Sequence, residues 1–227
     1  MFKTNNQNFL VINSNYSNKL DTKLKQLLKS NPEIMFSDDF SEQISWLPDS
    51  TKKLKFEVEY EYPIDNLPIE LTHLTFYFEC NQSVDNLPNN LISIYFGTNF
   101  SHPIDNLPES VQFIWIFNSY NKNISNLPRG LVVLNLFNYK MDIEYLPDNL
   151  EKLDLGHKFL HQINYLPSKL LIISLPSTYN NLEKFQNKFP HFIEFNKIYD
   201  STYYINTNNL DVDILLKVKN KYGIDFI

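Results

Sequence analysis

The sequence predicts an α/β-type, mostly β solenoid: a leucine-rich-repeat-like parallel sheet of about seven to nine repeats of 20 residues, with helical caps at both ends. The first observation is a Leu-Pro pair that recurs seven times in 227 residues, with successive prolines 20, 20, 20, 20, 19 and 20 positions apart. A fixed period of this length is typical of repeat architectures, in which each unit packs on its neighbours. The pairs are Leu47-Pro48, Leu67-Pro68, Leu87-Pro88, Leu107-Pro108, Leu127-Pro128, Leu146-Pro147 and Leu166-Pro167.

The second observation is a pair of apolar columns in phase with the proline. Counted from the apolar residue three positions before each Leu-Pro leucine, offsets ten and twelve are apolar and alternate with their neighbours. Alternation with a period of two predicts one short strand per repeat, and units stacked in order place these strands side by side, roughly 4.8 Å apart, in a parallel sheet. The columns are Leu54/Phe56, Leu74/Phe76, Ile94/Phe96, Ile114/Ile116, Leu134/Leu136, Leu153/Leu155 and Ile173/Leu175.

Further apolar columns lie at offsets zero, three, seven and sixteen, and the last of these is mostly aromatic. Together they predict one continuous core that no single repeat can bury alone. The proline lies away from the strand, so its missing N–H costs the sheet no hydrogen bond, and the Leu-Pro side is predicted to be a non-helical convex arc. The aromatic column is Tyr60, Cys80, Phe100, Tyr120, Tyr139, Phe159 and Tyr179.

The two ends depart from this pattern. Residues 18–30 have helical spacing of leucines and are predicted to cap the open end of the core. After the last Leu-Pro pair, Phe185, Phe189, Ile193 and Phe195 suggest a degenerate eighth repeat. The predicted domains are a helical N-terminal cap at residues 1–33, the solenoid at 34–197, and a C-terminal cap at 198–227 with a strand over 198–207 and a helix over 210–222 ending at Gly223.

Charge and composition exclude several classes of protein. The net charge of −6 argues against a large surface for nucleic acid or an anionic membrane. The single cysteine, Cys80, cannot form an internal disulfide, which favours a reducing compartment. The sequence shows neither a signal peptide nor an apolar stretch of about 18 residues that could span a bilayer. We therefore expect an intracellular, cytoplasmic protein that binds neither nucleic acid nor membrane and is complete at both ends.

No pattern predicts an enzyme, a cofactor or a metal site. His157 and His161 have the spacing of a zinc pair but lie in a predicted turn without a glutamate partner. Cys80 occupies the aromatic core column, so a buried and unreactive thiol is the favoured interpretation. The sequence contains no phosphate-binding loop, dinucleotide fingerprint or nucleophile elbow.

The repeat unit resembles a known family. Leu71-Thr-His-Leu74-Thr-Phe76 is similar to the strand segment of leucine-rich repeats, and the unit that begins at Ile104 resembles the FNIP repeat, as do the segments Cys80–Val84 and Tyr120–Ile124 that precede other units. The resemblance covers residues 34–180. FNIP repeats occur in amoebae and in large DNA viruses that infect them, so the resemblance implies a leucine-rich-repeat-like solenoid, a role in binding, and a host protein as partner if the chain is viral. The segment before the repeats shows no F-box pattern.

Two polar columns lie beside the Leu-Pro leucines. Offset one carries Asp65, Asp85, Asp105 and Glu144, which could bind a cation but are better explained as a solvated edge. Offset two carries mainly asparagine, predicted to form a ladder that satisfies the free backbone groups of the arc.

The candidate binding surface lies at offsets nine, eleven and thirteen, which should point away from the core on the predicted concave face. In the outer repeats these positions are polar, whereas the middle repeats carry Tyr77, Tyr95, Phe113, Trp115, Phe117 and Phe137. An aromatic patch with a polar rim is typical of recognition sites and predicts a protein partner with Trp115 as the anchor. The alternatives are a carbohydrate or small ligand stacked on Tyr95 and Trp115, cover by a loop or a second copy, and plain strand propensity.

Overall fold

The described strands form one 12-stranded sheet. The computed structural model describes residues 3–4, 9–13, 22–37, 40–117, 119–176, 178–179, 192–198 and 201–206. The strand order is β1-β2-β3-β4-β5-β6-β7-β8-β9-β10-β12-β11. The strands are β1 (Lys3–Thr4), β2 (Leu10–Ile12), β3 (Glu33–Phe36), β4 (Lys53–Phe56), β5 (His73–Phe76), β6 (Ser93–Phe96), β7 (Phe113–Ile116), β8 (Val133–Leu136), β9 (Lys152–Asp154), β10 (Ile172–Pro176), β11 (Phe192–Ile198) and β12 (Ser201–Asn206).

Strands β2 to β10 are all parallel, and each pairs with the next in the order of the sequence. Equivalent residues of successive repeats face each other, as Leu74 faces Ile94 and Ile114 faces Leu134. The hydrogen bonds continue beyond the strands, since the Tyr77 N–H donates to the carbonyl of Phe56 at 3.0 Å. The leucine-rich-repeat-like parallel sheet predicted from the offset-ten and offset-twelve columns is therefore confirmed.

The core lies on the inner face of this sheet, beneath the inward columns. Both residues of every inward pair from Leu54/Phe56 to Ile173/Leu175 are at most 1% exposed. Phe56 stacks between Phe36 and Phe76, with ring centroids 5.0 and 4.8 Å away. Each such side chain stabilises the fold by roughly 1.5–3 kcal/mol relative to exposure, and its contacts come from neighbouring repeats.

The Leu-Pro pair begins a turn that is built the same way in every repeat. The Leu71 N–H donates to the carbonyl of Pro68 at 3.0 Å, and the offset-seven residue of each other repeat makes the equivalent bond. Only the proline carbonyl takes part, so the missing proline N–H is not needed. The Leu-Pro-x-x-Leu spacing is thus the spacing of a four-residue turn, and the arc contains turns rather than helices between residues 40 and 150.

The aromatic column forms a second buried stack, and its irregularity explains the one 19-residue repeat. Rings from Phe100 through Tyr179 stack with centroids 6.1–6.5 Å apart. Tyr139 follows Leu136 by three positions, where Phe100 follows Phe96 by four. The chain makes this shortened connection with Asn138 at φ 71°, in the left-handed region.

The N-terminal end differs from the prediction of a helix placed over the open end of the core. Helix α1 (Thr22–Ser30) overlaps the predicted helix but connects β2 to β3, two parallel neighbours, so it takes the place of an arc. Leu24 and Leu28 pack into the common core, and the sheet continues beyond the helix to β2 and β1. The terminal strand pair β1–β2 is antiparallel.

The C-terminal end also departs from the repeat. Strand β12 lies within the segment predicted as a strand and pairs antiparallel with β10, between β10 and β11. Ile193 and Phe195 belong to β11, which pairs antiparallel with β12, so the prediction of an eighth repeat is wrong for these two residues. Phe185, Phe189 and the helix predicted over 210–222 lie outside the described residues.

Candidate binding surface on the outer face of the sheet

The face of the sheet opposite the core, called the outer face below, carries all six aromatic residues predicted to form the binding surface. Tyr77, Phe117 and Phe137 follow the ends of β5, β7 and β8 and are 47%, 50% and 36% exposed. The other three lie within β6 and β7 and are half-buried: Tyr95, Phe113 and Trp115. The alternation of strand residues therefore brings the six side chains to one surface.

Four of these rings form a row that crosses the strands. Tyr77 and Tyr95 have ring centroids 5.7 Å apart, Tyr95 and Phe117 are 6.0 Å apart, and Phe117 and Phe137 are 5.1 Å apart. The angles between ring planes along the row are 33°, 25° and 7°. The Tyr95–Phe117 and Phe117–Phe137 pairs are therefore stacked, and the Tyr77–Tyr95 pair is tilted.

A glycine makes this row possible, and the sequence patterns did not single it out. Gly97 occupies offset thirteen between Tyr77 and Phe117, and a Cβ at this position would lie 2.3 Å from the carbonyl oxygen of Phe78. No other residue fits so close to the neighbouring strand. Because Gly97 leaves a gap in its column, the ring of Tyr95 from offset eleven completes the row.

Charged and polar side chains close both ends of the row. The Lys55 Nζ lies 4.7 Å from the centroid of Tyr77 and 2.7 Å from a carboxylate oxygen of Glu57. At the other end, His157 packs its edge against Phe137 at 5.5 Å and 82°. The sequence predicts Lys55 and Asp154 to be rim residues that matter little for binding. The Lys55 side chain is only 11% exposed, because it lies over the Tyr77 ring and beside Phe9.

Phe113 and Trp115 form a separate pair on the same strand. Their centroids are 5.9 Å apart and their planes differ by 7°. Trp115 faces Tyr95 in the strand register, but the Tyr95 ring contacts Tyr77 and Phe117 instead. The Tyr95 ring thus leans toward Phe117, at the C-terminal end of β7, whereas the Trp115 ring leans toward Phe113, at the N-terminal end.

At offset eleven, the outer face becomes polar beyond β7. Asn135 faces Trp115 in the register, and Asp154 faces Asn135. Asp154 Oδ1 accepts a hydrogen bond from the Gly156 N–H at 2.9 Å, and Asn135 Nδ2 approaches Oδ2 at 3.5 Å. Burial raises the pKa of Asp154, against the smaller opposing effects of the Gly156 N–H, of Lys152 and of the Ser174 side chain. This carboxylate is thus held where its charged form is only partly stabilised.

The exposed rings end where the outer face becomes buried. On β10 the outward residues Ile172 and Ser174 are 0% exposed, and on β8 Val133 is 2% exposed. The accessible part of the aromatic patch therefore spans β5 to β8, the middle of the solenoid.

In the part of the chain that the structure describes, groups with metal-binding chemistry do not converge. Within the described ranges, no group of three His, Cys, Asp or Glu side chains could hold a metal ion. His157 packs on Phe137, whereas His161 Nδ1 lies 2.7 Å from Asp142 Oδ1, so the two histidines serve different neighbours. Burial raises the pKa of the Cys80 thiol to about 12, which keeps it protonated and unreactive.

The acidic and asparagine columns bind each other along the arc. Asn106 Nδ2 donates to Asp85 Oδ1 at 2.8 Å, and Asn86 makes the same bond to Asp65 at 3.1 Å. The asparagine ladder was predicted to satisfy backbone groups, but of these three side chains only Asn126 bonds a carbonyl, that of Asp105 at 2.6 Å. The hydrogen bonds from Asn106 and Ser83 lower the pKa of Asp85. This column is a structural ladder.

Comparison with known families agrees with this architecture. Two adjacent segments, residues 40–78 and 78–119, match the FNIP Repeat family. Residues 40–119 therefore consist of FNIP repeats. A search of curated proteins gave no match. Among solved structures, the chain is similar to CroV588, described as a novel circular LRR protein, with a TM-score of 0.57 and 24% sequence identity.

The similarity to CroV588 supports the fold alone. It covers 76% of this chain but only 31% of the CroV588 chain, so the two differ greatly in length. Independently, none of the described helical residues forms a helix long and apolar enough to cross a bilayer.

Proposed function

We propose that this protein is a non-enzymatic interaction module that binds a protein partner through the aromatic patch of its outer face. The observation that carries the proposal is the row of four neighbouring rings, three of which are at least 36% exposed. Repeat scaffolds of this type present extended surfaces and are commonly used for binding other proteins. An accessible cluster of large aromatic side chains bordered by polar residues is the arrangement from which interface hot spots form.

Trp115 is the proposed anchor because it lies at the inner border of the patch. It is half-buried, held parallel to Phe113, and bordered on β8 by Asn135. A ring that is already held in place loses little conformational freedom on binding, so its contacts contribute more of their energy to affinity. Partner side chains that cover the row would complete its desolvation.

The second candidate, stacking of a carbohydrate or another small ligand, is less well supported by the ring geometry. Sugar stacking needs a free aromatic face, since the ring face carries the negative end of the quadrupole. In the row, Tyr95 lies between Tyr77 and Phe117, and Phe117 lies between Tyr95 and Phe137, so neighbouring rings compete with a sugar for these positions. Phe113 and Trp115 are held parallel at 5.9 Å outside the row, and these two rings make a short platform for a sugar.

The cellular setting follows from the same proposal. A buried lone thiol and a net charge of −6 suit an intracellular, cytoplasmic protein with a protein partner. If the chain is viral, this partner would be a protein of the host cytoplasm.

A photo-crosslinker placed on each side of the molecule tests the proposal. Benzoylphenylalanine would replace Phe117, 50% exposed on the outer face, and in a matched variant Tyr145, 45% exposed on the arc. After irradiation in cells of the host, mass spectrometry identifies the proteins that are attached. We expect a protein adduct from position 117 and none from position 145, and we expect Trp115→Ala to reduce the adduct.

Other outcomes contradict the proposal. Adducts of equal yield from both positions would show that the outer face is not selective. An adduct composed of two copies of this chain would replace the partner by self-association. A glycan attached in place of a protein would favour the carbohydrate alternative.

A further inference from the structure

The four rings of the row follow one another at nearly equal intervals, and these intervals are close to the pitch of an α-helix. Successive centroids are 5.7, 6.0 and 5.1 Å apart from Tyr77 to Phe137, whereas one helical turn rises 5.4 Å. Each ring belongs to a different strand or follows its end, so the row runs across β5 to β8. A helix laid across these strands would therefore bring about one side chain per turn to each ring in succession.

An extended partner segment fits this surface less well. Side chains on one face of a strand repeat at about 6.7 Å, so they would fall out of step with the rings. An extended segment could not join the sheet here either, because each of β5 to β8 already pairs with a strand on both sides. Its backbone N–H and C=O groups would lie against aromatic rings without partners, whereas a helix bonds most of these groups internally.

The column next to the row carries opposite charges at its two ends. This column is offset fifteen, two positions after Tyr77 and its equivalents, and it holds Glu59 and Glu79 near one end of the row and Lys158 near the other. All three charged residues are exposed. Asn99 Nδ2 donates a hydrogen bond to Glu79, but within the described residues no salt bridge reaches Glu59 or Glu79. The two carboxylates beside β4 and β5 are therefore available to a basic partner.

We infer that the partner segment is an amphipathic α-helix of about three turns that lies across β5 to β8, with its apolar stripe on the row and basic residues at the end beside Glu59 and Glu79. This inference rests on the proposed function and adds the structure and charge of the partner. Apolar residues at i, i+4, i+7 and i+11 share one face of a helix and lie about one turn apart, as the four rings do.

The charges near the first ring favour a basic helix over an acidic one. Lys55 lies over the Tyr77 ring but is paired with Glu57 at 2.7 Å, so it adds no net positive charge at this end. An acidic helix end would meet like charge at Glu59 and Glu79, which disfavours it. A second copy of this chain is disfavoured for the same reason, because its net charge is −6.

A selection from a random 14-residue peptide library on the full chain tests the inference. We expect the enriched peptides to carry apolar residues at the helical spacing and lysine or arginine near one end. One such peptide is then remade with proline in place of a polar residue at its centre, and with alanine at the same position as the control. In fluorescence anisotropy, proline should weaken binding at least tenfold and alanine should leave it about unchanged, because proline removes a helical hydrogen bond and clashes with the preceding turn.

Two double variants of the chain test the charge. Glu59→Gln/Glu79→Gln should weaken binding of the basic peptide at least threefold at low ionic strength, and the loss should shrink in high salt because exposed charges are screened. Glu70→Gln/Glu144→Gln removes two exposed carboxylates from the arc and should leave the affinity unchanged. Equal losses from the two double variants would overturn the placement of the basic end.

Phe117→Ala separates failure of this inference from failure of the proposed function. Enriched peptides that lose binding to Phe117→Ala but tolerate the central proline would overturn the helix and leave the proposed function in place. A selection that yields no peptide whose binding depends on Phe117 would contradict the proposed function and the inference together. A dimer of the chain in sedimentation that is lost in Phe117→Ala would assign the row to a second copy and overturn both.

Discussion

Asp85 on the arc and Asp154 on the outer face lie in opposite environments within one repetitive molecule. The pKa of Asp85 is lowered by hydrogen bonds from Asn106 and Ser83, so the arc itself stabilises the charged form. The pKa of Asp154 is raised by burial, and the outer face leaves its charge without an ion pair in the described residues. The arc therefore uses its polar groups to join one repeat to the next, whereas the polar and aromatic groups of the outer face are the ones to which the proposed function assigns a partner.

The same contrast applies to the uncharged residues. Along the arc, each offset-seven N–H bonds the proline carbonyl of its own turn, so equivalent repeats are built alike. Across the outer face, offset eleven changes from Lys55 through Tyr95 and Trp115 to Asp154. Selection for a stable stack constrains inward and arc positions in every repeat, but outward positions in the middle can vary with the surface that they form.

The largest expected effect comes from placing a charge in the hydrophobic core, which supports both the arc and the outer face. Leu134 is 0% exposed in the core between β7 and β9. Leu134→Asp buries a carboxylate without a partner, which should cost more than about 4 kcal/mol and unfold most of the chain, because neighbouring repeats share the core. Circular dichroism during thermal unfolding measures this. Asp105→Asn on the arc should change stability by only a few tenths of a kcal/mol, and similar melting temperatures for the two variants would contradict the column assignment.

The next largest difference in stability is expected between glycine substitutions on the outer face and on the arc. Gly97→Ala should destabilise the chain by about 1–3 kcal/mol, because the new Cβ would lie 2.3 Å from the Phe78 carbonyl oxygen and force neighbouring strands apart. Gly130→Ala on the arc meets its nearest atom, the Glu109 carbonyl oxygen, at 3.5 Å and should be neutral or slightly stabilising. Urea unfolding of both variants gives the comparison. Equal destabilisation would mean that the close approach at Gly97 has no energetic weight.

These two predictions also separate what the sequence could reveal from what it could not. The alternation of strand residues places Phe113 and Trp115 on one face and Ile114 on the other, so both the core and the six aromatic residues could be predicted. Alternation does not determine which way a side chain leans along the strand. The turn of Tyr95 toward Phe117 depends on the missing side chain of Gly97, a contact between neighbouring strands that no spacing within one repeat encodes.

The ends were predicted less well for a related reason. Periodicity specifies a neighbour only where another repeat exists, and β1, β11 and β12 pair antiparallel outside the periodic region. The leucine spacing of α1 indicated a helix correctly but could not distinguish a connection between two parallel strands from a cover over the last one.

The arc contains one position that should be improved by mutation. Thr51 takes the place of the offset-seven leucine, is 0% exposed, and its Oγ1 has no hydrogen-bond partner within the described residues. Thr51→Val keeps the shape and removes the unpaired hydroxyl, so the free energy of unfolding in urea should rise by about 1 kcal/mol. Thr72→Val is the control: Thr72 Oγ1 donates to the Lys52 carbonyl at 3.0 Å, and its loss should not stabilise the chain. A less stable Thr51→Val would show that the hydroxyl is satisfied by water.

The smallest effects concern the two carboxylates themselves. The folded pKa of Asp85 is lowered, so its contribution to stability should be lost as the pH falls through that pKa; for Asp154, whose folded pKa is raised, the contribution should be lost as the pH rises through it. Carbon-detected NMR titration of both side chains checks the two directions. Asp85→Asn should remove the loss of stability as the pH falls, and Asp154→Asn should remove the loss as the pH rises from the ordinary carboxyl pKa to the raised one. If the pKa values of Asp85 and Asp154 shift in the same direction, the contrast between the arc and the outer face is wrong.

The most direct test of the outer face as the binding surface is the affinity of the captured partner for Trp115→Ala and Tyr145→Ala, measured by calorimetry with thermal unfolding as a check of the fold. Trp115→Ala should weaken binding by about 2 kcal/mol or more, as hot-spot residues do, while the chain stays folded. Tyr145→Ala, which removes a ring that is 45% exposed on the arc, should change affinity by less than about 0.5 kcal/mol. Equal losses for the two variants, or a folded Trp115→Ala chain that binds with unchanged affinity, would contradict the assignment of function to the outer face.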